Sequence, residues 1–309
     1  MSAGPMSTTL PRRRFGSTTM TPTALGLGCA FFGGGQSSDE DTIAGVRRAV
    51  ELGLNYVDTS PAYGESERRV GLALADGWRD RVYLQTKTGT HPERRGDYSA
   101  AATRWSVENS LKQLGTDHLD AVLIHDPADI ELPLAPDHAL DELLRLKEHG
   151  VVRHVGLGVR DHAFHRRAMA TGQIDIVLTY LDYNLIDQSA ADGILPDARR
   201  YGVAVILASV FGMGLLTGLE PALADEQGKY PARRDAPVAH RMWAWCSENS
   251  VNLRHLAMQF CLAAPVEGIA MAGPCNQQQV EEAFEAATAE VAEQTWEAFA
   301  TEFGVRPKK

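Results

Sequence analysis

Paired sulfur is missing from this chain. Its four cysteines, Cys29, Cys246, Cys261 and Cys275, are scattered over 309 residues with no CxxC pair. That spacing excludes a zinc knuckle and a disulfide framework, and it suits a reducing cytoplasm. Basic charge is also scarce. Thirty Lys and Arg face 40 Asp and Glu, for a formal net charge of -10. Nucleic acid and anionic membranes recruit proteins through basic patches, so neither is expected as a partner. Long apolar runs are absent too, since none reaches the roughly 18–20 residues that span a bilayer. The opening MSAGPMSTTLPRRRFG has arginines with no apolar run behind them, unlike a secretory signal. Residues 1–10 are expected to be a flexible tail and 11–309 one domain. A small-molecule substrate, no metal, and a monomer or small homo-oligomer complete the expectation.

What the chain does have is alternation. Short apolar runs, 24–28, 55–59, 82–87, 118–125, 152–158, 174–180, 203–209 and 268–273, read as strands covered on both faces. Helical patterns separate them. One, SDEDTIAGVRRAVELG, opens on Ser38 as an N-cap and stops at Gly53. The segments SERRVGLALADG and SAADGILPDARRYG are expected to end on glycine in the same way. Eight strands with intervening helices predict a (β/α)₈ barrel of the α/β class. The open, doubly wound alternative usually has GxGxxG after its first strand, where GLGCAFFGGG stands here. Two departures are predicted: a long irregular stretch at 211–237 and a further helix in VAEQTWEAFATEFG.

Ionisable side chains sit where three of these strands stop. Asp58 and Tyr63 follow the second, Lys87 ends the third, and His125 ends the fourth. The C-terminal rim of a parallel barrel is where its chemistry is housed. An acid, a phenol, an amine and an imidazole gathered there suggest proton transfer. A free phenol has a pKa near 10, so a neighbouring ammonium is expected to lower it, with Asp58 holding Lys87 charged.

The order VDTSPAYG, LQTK, LIHDP and SVFGMGLLTG resembles the aldo-keto reductase superfamily along nearly the whole chain. The stretch YLDYNLIDQSAADGILPDARRYGVAVILASVFGMGLLTG is closest to its L-galactose, L-fucose and D-threo-aldose dehydrogenase branch. The resemblance implies hydride exchange between a nicotinamide dinucleotide and a carbonyl or alcohol, with Asp58, Tyr63, Lys87 and His125 as the catalytic tetrad. It also implies cofactor contacts from Gly28, Cys29, Ala30, Asp58, Ser209, Phe211, Gly212, Met213, Gly214, Gly273, Gln279 and Glu282. Phe32, Tyr63, His125 and Asp126 would face the substrate. His91, Tyr180 and Asn184 are further candidates for binding sugar hydroxyls, whereas Trp105 reads as core.

The chain departs from the family pattern in three places. Ala208 stands where an aromatic commonly stacks, and Gly158-Val159 where a Ser-Asn pair is usual. No lysine or arginine lies between residues 255 and 306, and Glu281 and Glu282 would repel a 2′-phosphate. NAD is therefore expected over NADP, which stays open. The expected activity is NAD(P)-dependent oxidation of an aldose at C1 to a lactone. The alternatives are an NADPH-dependent carbonyl reductase, a pyridoxal-type dehydrogenase, and a non-catalytic nicotinamide-sensing subunit.

Overall fold

The computed structural model describes residues 9–221 and 235–307. Among these, eight parallel strands close into a barrel in sequence order, with the eighth pairing back to the first. They are β1 (Leu25–Gly28), β2 (Tyr56–Asp58), β3 (Tyr83–Thr88), β4 (Leu119–His125), β5 (Val152–Gly158), β6 (Ile176–Tyr180), β7 (Ala204–Ala208) and β8 (Gly268–Ala272). All eight coincide with the predicted runs to within two residues at each end.

The helices cover the outside. The first half contributes α1 (Asp39–Glu51), α2 (Ser66–Leu74), α3 (Ala100–Leu114), α4 (Glu131–Leu134), α5 (Ala139–Glu148) and α6 (His162–Met169). The second contributes α7 (Ala190–Gly193), α8 (Leu195–Tyr201), α9 (Ala236–Glu248), α10 (Leu253–Leu262), α11 (Gln277–Thr288) and α12 (Glu293–Phe303). None of the helices described is long and apolar enough to cross a membrane.

Local signals explain most of the boundaries. Ser38 forms a capping box with Asp41, so two otherwise orphaned amides at the start of α1 are satisfied. Gly115 and Gly202 stop α3 and α8 in the left-handed conformation that glycine adopts without a Cβ clash. Two expectations are corrected. α2 ends at Leu74, where Ala75 turns extended before Gly77 is reached. The SAADGILPDARRYG segment is two helices, because Pro196 lacks an amide hydrogen and starts a new helix after Ile194.

The barrel interior is filled by Tyr56, Leu123, Ile176, Ile206, Ile269 and Met271, with Phe15 and Met20 of the N-terminal segment closing the lower end. A larger apolar layer lies between strands and helices. The expected tail, residues 1–10, is described only from residue 9. Residues 1–8 lie outside the described residues, but Leu10 is already buried, and the Ala24 amide donates to the Pro11 carbonyl at 2.8 Å. Of the long stretch at 211–237, residues 222–234 also lie outside the described residues. The last expected helix is present as α12, and its Phe299 and Phe303 pack edge-on against Trp245 of α9.

Candidate active site

Alternation along a strand sends every second side chain inward. With Tyr56 and Leu123 inside the barrel, Asp58 and His125, each two residues further on, face the same space at the rim. Gln85 and Lys87 do the same on β3. A hydrogen-bonded column results. Tyr56 Oη donates to Gln85 Oε1 at 2.7 Å, and Gln85 Nε2 donates to Asp58 Oδ1 at 2.6 Å. Lys87 Nζ donates to both Asp58 oxygens at 2.6 and 2.7 Å and to the Thr59 carbonyl at 2.8 Å. Lys87 is 1 % exposed and Asp58 4 %, so this ion pair is held out of water. Burial alone would push the Lys87 amine down, but the charge of Asp58 and the neighbouring Tyr63 outweigh it and raise its pKa.

Tyr63 enters from the turn between β2 and α2. Its amide donates to the Ser60 carbonyl at 3.0 Å, and its own carbonyl accepts from Ser66 N at 3.1 Å. The ring centroid stands 4.7 Å from Lys87 Nζ and 5.8 Å from the His125 ring, which meets it edge-on at 89°. Here the expected electrostatics are corrected. Burial raises the phenol pKa and the Lys87 ammonium lowers it, and burial wins. Tyr63 is therefore a neutral phenol at neutral pH, able to donate a proton.

His125 is neutral as well, its pKa pushed well below the usual value by burial and by the charges of Lys87 and Arg95. Thr90 Oγ1 lies 2.8 Å and Ser60 Oγ 3.3 Å from Nδ1, while Nε2 lies 3.5 Å from Asp126 Oδ2. Asp126 has a left-handed backbone, φ 40°, which swings its carboxylate back to the rim. Tyr180 Oη donates to Asp126 Oδ1 at 3.2 Å. Gln85, Thr90 and Ser60 were not anticipated. Gln85 alone left a signal, standing two residues before Lys87 on the same inward face.

A model of the aldo/keto reductase family matches residues 24–301 of the chain. The chain belongs to that family. L-galactose dehydrogenase of Arabidopsis thaliana is 31 % identical over 293 residues, covering 91 % of this chain and 89 % of that protein. D-threo-aldose 1-dehydrogenase of a Pseudomonas species is 30 % identical over 302 residues, covering 88 % and 92 %. NADH-specific methylglyoxal reductase of Escherichia coli K12 is 31 % identical over 225 residues, covering 66 % and 68 %.

This aldo/keto reductase is an NAD(P)-dependent oxidoreductase. Of the residues expected to meet the cofactor, Ser209, Gly212, Met213 and Gly214 after β7 have φ of 62°, 55°, 56° and 97°. Left-handed backbone costs serine and methionine roughly 1–2 kcal/mol each, and within this turn the Gly212 and Gly214 amides donate to the Ser209 and Phe211 carbonyls at 2.8 and 3.0 Å. Phe211, between them, is half-buried against the core. Across the rim, Gly28 and Ala30 flank Cys29, whose amide donates to the Asp58 carbonyl at 2.8 Å. The Cys29 thiol is fully buried and pushed up by that burial, and the Cys29 carbonyl accepts from Ser66 Oγ at 2.8 Å. Gly273 is exposed beside the Phe31 ring, where a Cβ would lie at 3.3 Å. At the start of α11, Gln279 Oε1 accepts from the Cys275 amide at 3.0 Å and so caps the helix.

Five expectations change. Phe32 is fully buried against Gly45 of α1, so it is core and not a substrate contact. His91 is engaged with the Glu93 amide and Asn109, and Asn184 folds its own loop by accepting from the amides of Ile186 and Asp187. Trp105 is a partly buried surface ring, met edge-on by His91 and covered by Arg94, not core. Glu281 and Glu282 are not free to repel: Arg48 pairs with Glu281 at 2.8 Å and Arg254 with Glu282 at 3.2 Å.

The buried imidazoles predict acid lability. His165 is held down to about 4 by burial, with Nε2 at 2.7 Å from the Val159 carbonyl, and His125 is lowered too. Folded pKa values below the unfolded one mean stability that is complete above about pH 6.5 and lost as pH falls. Each unit of depression contributes about 1.4 kcal/mol. Urea unfolding along a pH series should show a steady loss from about pH 6.5 to about 4, and His165→Gln should flatten part of it. A flat wild-type profile would contradict the neutral imidazoles.

Proposed function

We propose that the chain oxidises a cyclic aldose at its hemiacetal carbon to the lactone, with NAD as the preferred nucleotide. The observation that carries this reading is the rim constellation: a phenol set between a buried ammonium and a neutral imidazole. When bound, the nicotinamide supplies the hydride acceptor, or the donor in reverse. Gly28, Cys29 and Ala30 would meet it with backbone, Ser209 to Gly214 would hold the diphosphate, and Gly273, Gln279 and Glu282 would lie toward the adenosine.

The chain's own groups handle the proton. Tyr63 first gives its own proton up to solvent; the hemiacetal C–H electrons then leave as hydride, the O–H proton passes to the Tyr63 phenolate oxygen, and the C=O of the lactone forms. Lys87 stabilises the phenolate that accepts this proton, and Asp58 fixes the ammonium in place. His125, uncharged, offers Nε2 to the substrate oxygen. Asp126, linked to Tyr180, presents a carboxylate acceptor to a substrate hydroxyl and disfavours an anionic substrate. The names of the two dehydrogenase relatives support a sugar.

NAD is supported by the absence of Lys and Arg between residues 255 and 306 and by the NADH-specific relative. The arginines that reach α11, Arg48 and Arg254, are already engaged by Glu281 and Glu282. A second reading, reduction of a small carbonyl, is supported by the methylglyoxal reductase relative. Aldoses and pyridoxal screened with NAD⁺ and NADP⁺, and aldehydes with NADH and NADPH, should give the highest kcat/KM for an aldose with NAD⁺. Turnover confined to aldehydes would select the reductase. NADP⁺ favoured over NAD⁺ would overturn the cofactor assignment, and nucleotide binding without any turnover would select a sensing role.

A further inference from the structure

The turn that carries Tyr63 is seated against the segment that follows β1. Glu65 N donates to the Gly33 carbonyl at 3.2 Å. A Cβ on Gly33 would collide with the Tyr63 carbonyl oxygen, and one on Gly64 would lie 2.6 Å from the Gly33 carbonyl oxygen. Residues 33 and 63–65 thus pack backbone to backbone, with no side chain between them. The segment is weak in itself. Gly33, Gly34 and Gly35 are consecutive and add no side chain to the core, so glycine's freedom must be removed from outside.

Arg69, on the first turns of α2, removes it. Its Nη1 donates to three carbonyls of the segment: Phe32 at 2.6 Å, Gly34 at 3.1 Å and Ser37 at 2.6 Å. Its Nε donates to Asp39 at 3.1 Å, at the start of α1. The side chain is only 13 % exposed, and the planar guanidinium spreads its contacts over two nitrogens, Nη1 on the segment and Nε on α1. Phe32, buried against Gly45, anchors the same segment on its other side.

We infer that Arg69 is a positioning residue for Tyr63: by gathering the carbonyls of Phe32, Gly34 and Ser37 it keeps the glycine segment seated on the 63–65 turn and fixes the phenol between Lys87 and His125. This rests on the proton-transfer role proposed for Tyr63, but its test does not require a known substrate. The groups facing that phenol are Lys87 and Asp58 from the barrel, His125 and Asp126 at the end of β4, and Tyr180 at the end of β6.

The test is a near-ultraviolet tyrosinate titration, each protein measured against its own Tyr63→Phe counterpart so that the difference reports Tyr63 alone. In Arg69→Ala, water reaches the loosened turn, and the phenol should titrate about one pH unit closer to the ordinary tyrosine value near 10. Where turnover is measurable, kcat should fall roughly 10- to 100-fold with KM little changed, as expected for a reacting group displaced by about 1 Å. Arg69→Lys should recover part of both effects. Arg47→Ala is the control. Arg47 also donates to a carbonyl of α2, Ala73 at 3.0 Å, but lies off the glycine segment, so its loss should lower the unfolding midpoint and leave the titration unchanged. If Arg69→Ala does not fold, Arg69→Lys and Gly33→Ala carry the same readout. An unshifted Tyr63 titration in the folded variants overturns the inference. Loss of aldose turnover in the unmutated protein would instead overturn the function proposed above and leave the titration result standing.

Discussion

Tyr63→Phe should reduce turnover roughly 10²- to 10⁴-fold, the range in which a positioned proton donor or acceptor acts, and leave nucleotide affinity within about twofold. The substitution removes one oxygen and keeps the ring. The ring's approach to Lys87 at 4.7 Å and its edge contact with His125 at 5.8 Å therefore survive, and the site keeps its shape. Substrate and nucleotide still bind, so kcat and kcat/KM should fall by the same factor. Steady-state rates measured by reduced-nicotinamide absorbance, with fluorescence titration of the nucleotide, give both quantities. Activity retained within tenfold would assign the proton to another group, and the neutral His125 is the one within reach. A fall in nucleotide affinity as large as the fall in rate would make Tyr63 a structural residue.

The fold was legible because a parallel barrel buries its strands on both faces. Runs such as LDAVLIH and VRHVGLG stand out as apolar segments bounded by turns, and they became β4 and β5 nearly residue for residue. The tetrad was legible for a related reason. Strand ends are readable, and a barrel gathers all of them on one rim. What escaped depended on orientation or on burial in three dimensions. Phe31 and Phe32 are adjacent after β1, and nothing in their spacing tells that the tight turn there sends Phe32 into α1 and Phe31 toward Gly273. The direction of the Tyr63 shift is set by how much water is excluded, a quantity that neighbours in sequence do not report. Arg254 and Glu282 are 28 residues apart and meet only because α10 packs on α11. The break within SAADGILPDARRYG did have a signal in Pro196, which the terminal glycine had outweighed.

The same burial makes Lys87→Met the most damaging single change expected for stability. In the wild-type protein the cost of dehydrating Asp58 is offset by two hydrogen bonds from Lys87 and one from Gln85. Methionine fills much the same volume but leaves a carboxylate at 4 % exposure with Gln85 as its remaining side-chain donor. Removing one partner of a buried pair typically costs about 3–5 kcal/mol. Urea unfolding of Lys87→Met against wild type at neutral pH should show that loss. The double variant Lys87→Met/Asp58→Asn should regain most of the stability, because a neutral amide is left where a charge had been. Its turnover should stay as low as that of Lys87→Met, since the phenolate of Tyr63 then has no ammonium beside it. Recovery of activity in the double variant would mean that Lys87 serves the fold alone and that the proton chemistry proceeds without it.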